Sequence, residues 1–179
     1  MSTRIILKLV ALAVVFAGLN PLAGWAQEEE DPGLENAHTQ FKSMLDQVDK
    51  LFYKEMKTDS GVRYYAVMWE ADGELSKIQF EVRNLGKYGG EPIYGILAYS
   101  MVAQIDGSLP PAVIKSVATK NETTGMGAFS MTEDFSTVYI NYSGPCDTIT
   151  PGQVWLVCAF LHKNRMGMKA HIQELMSAS

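Results

Sequence analysis

Histidine and cysteine are the residue types in this chain best suited to chemistry, and there are few of them. The histidines are His38, His162 and His171, and the cysteines are Cys146 and Cys158. The sequence has no Gly-x-Ser-x-Gly motif for a nucleophilic serine and no glycine-rich phosphate loop. His171 and Glu174 could share a metal ion, but a zinc site needs more ligands than this pair. We therefore predict no catalytic residue, no metal site and no cofactor.

The two cysteines allow two interpretations. In an oxidising compartment, Cys146 and Cys158 could form a disulfide that ties the loop before the last helix to that helix. Alternatively, Cys158 is a small buried hydrophobic residue, because it lies on the apolar side of the predicted helix. Their spacing is not that of a Cys-x-x-Cys motif, which argues against a redox-active pair.

Aromatic side chains are the other candidates, and they suggest a binding surface in place of a reaction. Many tyrosines fall on predicted strands, where alternate residues point to opposite faces of a sheet. Burial beneath the first helix must account for about half of the aromatic side chains on strands. Those that point away are typical anchors for a protein partner or a second subunit. The residues we predict for such a partner surface are Tyr64, Trp69, Tyr94, Tyr99 and Tyr139.

The hydrophobic pattern predicts the elements that position these residues. Apolar residues at spacings of three and four indicate a first helix that begins at Asn36 and includes Phe52. Thr150 and Gln153 form a capping-box pattern that opens the last helix. Between these helices we predict strands at 62–70, 75–85 and 93–105, a short helix opened by 108–111, and a hairpin of 126–131 and 135–142. The order α-β-β-β-α-β-β-α is typical of an α+β fold, an antiparallel sheet with helices on one face.

The first 26 residues predict export. Arg4 and Lys8 precede an apolar run at 9–19, which is shorter than the ~20 residues that a membrane span needs. A small-residue site at 24–26 completes the pattern of a signal peptide. We expect cleavage before Gln27, leaving a periplasmic or secreted protein without membrane attachment; a retained N-terminal anchor is the alternative. Residues 27–35 are predicted to form an acidic linker, and residues 36–179 a single domain.

The charge balance excludes some partners. The whole chain has a net charge of −5, and all 20 acidic residues lie after the predicted signal peptide. An acidic domain repels the phosphate backbone of nucleic acids and the anionic lipids of a membrane surface. We therefore expect neither a nucleic acid nor a membrane as the partner.

The second half of the chain resembles a known family. The segments LPPAVIKSVATKNETTGMGAFSMTEDFSTVYINYS (109–143) and TPGQVWLVCAFLH (150–162) are similar to those of YbjN-like proteins. The shared features are a short helix that ends near Asn121, a strand that starts with Gly127 and Phe129, a hairpin, and a long last helix with a Thr cap. These motifs are hydrophobic and structural in character, so the resemblance concerns the fold more than the function.

The resemblance implies the fold of type III secretion chaperones, which are cofactor-free dimers that bind extended segments of client proteins. Those chaperones act in the cytosol, whereas this chain carries an export signal. We therefore expect an exported, non-enzymatic, chaperone-like module that recognises protein or peptide segments as a homodimer. The alternative is a small-molecule carrier or enzyme on a cone-shaped α+β fold with a central pocket, and a structural role in the cell envelope is a third hypothesis.

Overall fold

The computed structural model describes residues 31–178, and the predicted signal peptide and residues 27–30 of the predicted linker lie outside the described residues. Residues 31–178 form three helices and six strands in the order α-β-β-β-β-α-β-β-α. This confirms the α+β class and corrects the predicted order by one strand. None of the helices within residues 31–178 combines the length and apolar character that a membrane span requires.

Each of the three helices begins with a proline, whose fixed φ suits the first helical turn. The helices are α1 (Pro32–Asp46), α2 (Pro111–Asn121) and α3 (Pro151–Ser177). The capping box predicted for α3 is confirmed, because Thr150 and Gln153 each accept a hydrogen bond from the other's backbone N–H.

Helix α1 starts earlier than predicted. The Asp31 side chain caps it by accepting hydrogen bonds from the backbone N–H groups of Gly33 and Leu34. Residues 32–35 are therefore the first turn of the helix and not part of a linker. The acidic composition of 27–35 concealed this start, because an aspartate before a proline serves equally well as a cap or as a solvated loop residue.

The strands form one antiparallel sheet in the spatial order β1-β2-β3-β4-β6-β5. Their bounds are β1 Phe52–Lys57, β2 Arg63–Ala71, β3 Glu74–Tyr88, β4 Glu91–Gln104, β5 Ala128–Met131 and β6 Thr137–Pro145. Strands β3 and β4 form a long hairpin whose tip carries the exposed Tyr88. Strands β1 and β5 are the two edges of the sheet.

Strand β1 is the element that the sequence analysis missed. Val48, Leu51 and Phe52 continue the helical spacing of apolar residues, so the pattern assigned them to the first helix. In the structure α1 ends at Asp46, and Lys50 adopts a left-handed φ of 58° that redirects the chain. Phe52 then pairs with Met68 of β2. The hydrogen bonds of this pairing come from a distant segment, which local spacing cannot reveal.

The helices cover one face of the sheet and enclose the core with it. The Phe41 ring of α1 contacts the rings of Tyr65 and Phe80, with centroids 5.5 Å apart in both pairs. Helix α3 adds Val154 and Leu161 to the same cluster. Residues of one face alternate along each strand with residues of the other. The opposite face, which we call the open face, therefore has no helix over it within residues 31–178.

Side-chain hydrogen bonds of Asn121 join α2 to β5. The Asn121 amide donates to the carbonyl oxygen of Phe129 (2.8 Å) and accepts from its backbone N–H (2.6 Å). At Gly127, where φ is 113°, an added Cβ would lie 2.2 Å from the Asn141 carbonyl oxygen. Asn121 and Gly127, two residues singled out in the sequence, thus have structural roles in this part of the fold.

Candidate binding surfaces

The open face carries three of the five aromatic residues predicted for a partner surface. Tyr64 and Tyr139 are buried but do not belong to the core beneath the helices, and Tyr99 is partly exposed. The rings of Tyr99 and Tyr139 meet edge to face with centroids 6.1 Å apart. Tyr99 lies opposite Gln79 of β3, and Tyr139 lies between β4 and β5.

A buried carboxylate organises the centre of this face. Glu81 is only 3% exposed, although no helix covers it. Its Oε1 accepts hydrogen bonds from the Tyr99 hydroxyl (2.5 Å) and the Gln79 amide (3.1 Å). Its Oε2 accepts from Arg83, with Nε at 2.8 Å and Nη2 also in contact. Every strong acceptor direction of Glu81 is thus occupied from within the chain, and we call this set the Glu81 network.

The ionisation of the nearby tyrosines reflects this environment. Burial, followed by the charge of Glu81, raises the pKa of Tyr99 far above its ordinary value. Burial is also the main cause that raises the pKa of Tyr64 and of Tyr139. The open face therefore holds three neutral phenols around one compensated carboxylate, an arrangement that favours rigidity over reactivity.

Trp69 and Tyr94 lie on the helix side of the sheet, which corrects their assignment to the same surface as the other three. Tyr94 donates from its hydroxyl to Asp31 (2.8 Å) and so joins β4 to the cap of α1. Trp69 meets Trp155 of α3 edge to face, with ring centroids 5.6 Å apart. Strand alternation separates these two residues from Tyr64, Tyr99 and Tyr139.

Trp69 instead lines a groove at one end of the sheet, where α1 ends, β1 begins and α3 begins. We call it the tryptophan groove, and its volume is about 840 Å³. Three of its apolar side chains are well exposed, namely Phe52 (69%), Leu75 (49%) and Trp155 (48%). Exposed apolar side chains that line one groove are typical of a binding site. Neither Phe52 nor Trp155 was predicted as part of a surface. Only Trp155 gave a signal, because it is a large aromatic residue on the polar side of the last predicted helix.

One polar atom beside the groove has no partner. The indole Nε1 of Trp69 is buried and makes no hydrogen bond within the described residues. A buried N–H group without an acceptor costs free energy on the order of 1–3 kcal/mol. The fold therefore leaves one buried donor of Trp69 unpaired among residues 31–178, directly beside the groove.

The two cysteines are free thiols in the structure, so the predicted disulfide is not formed there. Both are buried. Burial raises the pKa of Cys146 to about 11 and that of Cys158 to about 12, so neither is a thiolate at neutral pH. The Cys146 thiol donates to the backbone carbonyl of Ala37, 3.6 Å away. The alternative interpretation, in which Cys158 packs as a small hydrophobic residue, describes its position in this structure.

The histidines are engaged in structural contacts. His162 Nδ1 lies 2.8 Å from the hydroxyl of Ser76. Ser76 is completely buried, and its other hydrogen-bond partner is Arg165, so no substrate can reach its hydroxyl in this conformation. His171 bonds to Ser116 on α2 at 2.8 Å. Within residues 31–178 no three potential metal ligands of the His, Cys, Asp or Glu type come together.

Comparison with known proteins identifies the fold. No family model matches the sequence, and no curated protein matches it significantly. The structure is similar to a chain from the solved HopA1-SchA chaperone–effector complex, with a TM-score of 0.50 and 11% sequence identity. The match covers 79% of this chain and 99% of that chain. This chain therefore has a chaperone-like α+β fold, as the predicted resemblance to secretion chaperones implied.

Proposed function

We propose that this protein is an exported, non-enzymatic, chaperone-like module that binds segments of other proteins. The observation that carries the proposal is the tryptophan groove, where Phe52, Leu75 and Trp155 expose apolar surface to water. Aromatic side chains in such a setting are typical anchors of protein interfaces. The likeness to a chain of a chaperone–effector complex and the resemblance to YbjN-like proteins support the same function.

The proposal includes export and a homodimer. Export rests on the signal-peptide pattern of the first 26 residues, and we place the protein in the periplasm or outside the cell. The homodimer rests on the resemblance to secretion chaperones. N-terminal sequencing of the exported protein should begin near Gln27, and sedimentation equilibrium should give twice the chain mass. A start at Met1 would contradict export, and a strict monomer at all concentrations would contradict the homodimer.

Binding is tested with an unfolded protein and two matched variants. We expect the purified protein to bind a reduced, carboxymethylated lactalbumin, which stays unfolded, and to do so through the groove. Trp155→Ala should weaken that binding about tenfold or more, the size of an interface hot spot. Tyr88→Ala removes an even more exposed aromatic ring from the distant hairpin tip and should leave binding unchanged. Equal loss in both variants, or no binding by the unmodified protein, would contradict the proposal.

A further inference from the structure

The tryptophan groove has an acidic rim. Asp49 and Glu70 line it, and Asp72 and Glu74 lie in the turn that directly joins the groove residues Ala71 and Leu75. Lys50 is the one basic residue among the side chains that line the groove, and it lies 4.0 Å from Asp49. The rim therefore carries more negative charge than Lys50 alone can neutralise.

Positive groups compensate these carboxylates only in part. Among residues 31–178, Glu70 and Asp72 form no ion pair, whereas Asp49 lies beside Lys50 and Glu74 interacts electrostatically with Arg165. The N-terminus of α3 also faces the groove, and its dipole contributes about half a positive charge. The charges of Lys50, Arg165 and this dipole together remain smaller than the four negative charges of the rim. An apolar floor and a rim with excess negative charge thus occur at the same place.

From this combination we infer that the groove binds a segment with an apolar or aromatic anchor flanked by lysine or arginine. The inference rests on the proposed function and specifies its partner. An anchor side chain would pack against the exposed apolar groups that line the groove, and its basic flanks would meet Glu70 and the 71–74 turn. The volume of about 840 Å³ falls within the range of about 300–1,000 Å³ usual for binding pockets. Charge complementarity of this type selects partners more than it adds affinity.

The test uses two peptides with one apolar core, alanine-leucine-phenylalanine-leucine-alanine, flanked on each side by two lysines or by two glutamates. Trp69 and Trp155 both line the groove, so intrinsic tryptophan fluorescence reports directly on its occupancy. We expect the lysine-flanked peptide to bind about tenfold more tightly, because several exposed ion pairs each add a small contribution. The difference should shrink as salt is raised, since exposed charges are screened.

Two variants with four substitutions each show which carboxylates cause the preference for the lysine-flanked peptide. Changing Asp49→Asn, Glu70→Gln, Asp72→Asn and Glu74→Gln should bring the two affinities close together. The matched control neutralises four exposed carboxylates that do not line the groove: Glu91→Gln, Asp106→Asn, Glu122→Gln and Glu133→Gln. This control changes the net charge by the same amount and should keep most of the preference for the lysine-flanked peptide. Asn is suitable at position 72, where φ is 53°, because it tolerates the left-handed region.

The remaining outcomes count against the inference and can be told apart from failure of the proposed function. If both peptides bind equally, or both fourfold variants lose the preference, the rim does not select the partner, while groove binding itself stands. If neither peptide binds but the unfolded lactalbumin does, the inference fails alone. If Trp155→Ala converts a dimer into a monomer, the groove is occupied by a second copy and the inference is also overturned.

Discussion

The tryptophan groove and the open face of the sheet are both rich in aromatic side chains, but their surroundings differ. On the open face the rings of Tyr99 and Tyr139 meet edge to face, and Glu81 receives hydrogen bonds from three neighbouring side chains. In the groove, Phe52 and Trp155 are exposed, the Trp69 indole N–H has no acceptor among residues 31–178, and the rim has more carboxylates than cations. Aromatic content alone therefore does not identify a binding surface; unsatisfied groups and exposed apolar area do.

The largest expected effect is on the Glu81 network. Glu81→Ala removes the acceptor of Arg83, Tyr99 and Gln79 and leaves a guanidinium without its counter-ion. Breaking a buried ion pair costs about 3–5 kcal/mol, and Arg83 can recover some water, so we expect about 2–3 kcal/mol. Urea unfolding followed by circular dichroism measures it. Glu70→Ala, at an exposed glutamate of the groove rim, should change stability by less than about 0.5 kcal/mol. Equal effects at both sites would remove the contrast between the two regions.

A more conservative change tests the same network with a smaller effect. Tyr99→Phe keeps the ring against Tyr139 but removes the hydroxyl that donates to Glu81. A hydrogen bond to a charged group contributes about 1.5–3 kcal/mol, and we expect a loss near the lower end because Tyr99 is partly exposed. Tyr88→Phe is the matched control at a fully solvated hydroxyl, and it should unfold at the same urea concentration as the unmodified protein. If Tyr99→Phe unfolds at the same urea concentration as the unmodified protein, the Glu81 network is not a source of stability.

Alkaline pH should also act through the open face. In the unfolded chain tyrosines ionise near pH 10, whereas in the fold the pKa values of Tyr64, Tyr99 and Tyr139 are raised, mainly by burial. The folded state therefore keeps the protons of these three tyrosines longer, so their contribution to stability is complete below about pH 10 and falls as the pH rises above it. Denaturant unfolding at a series of pH values should show a shallower fall for Tyr99→Phe. Trp155→Ala should show the same fall of stability with pH as the unmodified protein. If the unmodified protein and both variants lose stability equally with pH, the effect does not come from Tyr99.

The smallest expected change in stability is in the groove. Trp155→Ala removes an edge-to-face contact with Trp69, and such aromatic pairs contribute about 0.5–1.5 kcal/mol. We expect a loss of about 1 kcal/mol, measured by urea unfolding, together with a much larger loss of binding. That combination distinguishes a binding residue from a core residue. A loss above about 3 kcal/mol would instead indicate that Trp155 belongs to the core.

Much of the fold could be predicted because it depends on neighbours in the sequence. The cap formed by Thr150 and Gln153 involves residues three apart, and strand alternation in β3 extends over a few positions. The predicted start of α1 was wrong because Asp31 can be recognised as a cap only when its hydrogen bonds are known. Strand β1 was missed because its pairing with β2 is supplied by residues beyond the Asp59–Gly61 turn.

The candidate sites could be predicted only in part. Alternation correctly suggested that some tyrosines point away from the helices, but it could not tell that Trp69 and Tyr94 point toward them. The reason is that the choice of face depends on which side of the sheet the helices pack against, and the sequence pattern of β2 is apolar on both sides. Glu81 lies within the predicted strand at 75–85, yet its burial depends on contacts with Tyr99 and Arg83.

Local patterns in the chain thus establish an α+β domain with a capped last helix, few reactive side chains and an acidic surface. These properties follow from backbone preferences and composition, which depend only on the residues of each segment. The tryptophan groove and the Glu81 network arise from contacts between distant segments: 47–52, 68–75 and 151–155 meet at the groove, and β3 meets β4 at Glu81. Because the free energy of those contacts depends on packing and desolvation in three dimensions, only the folded chain reveals which aromatic residues are exposed for binding.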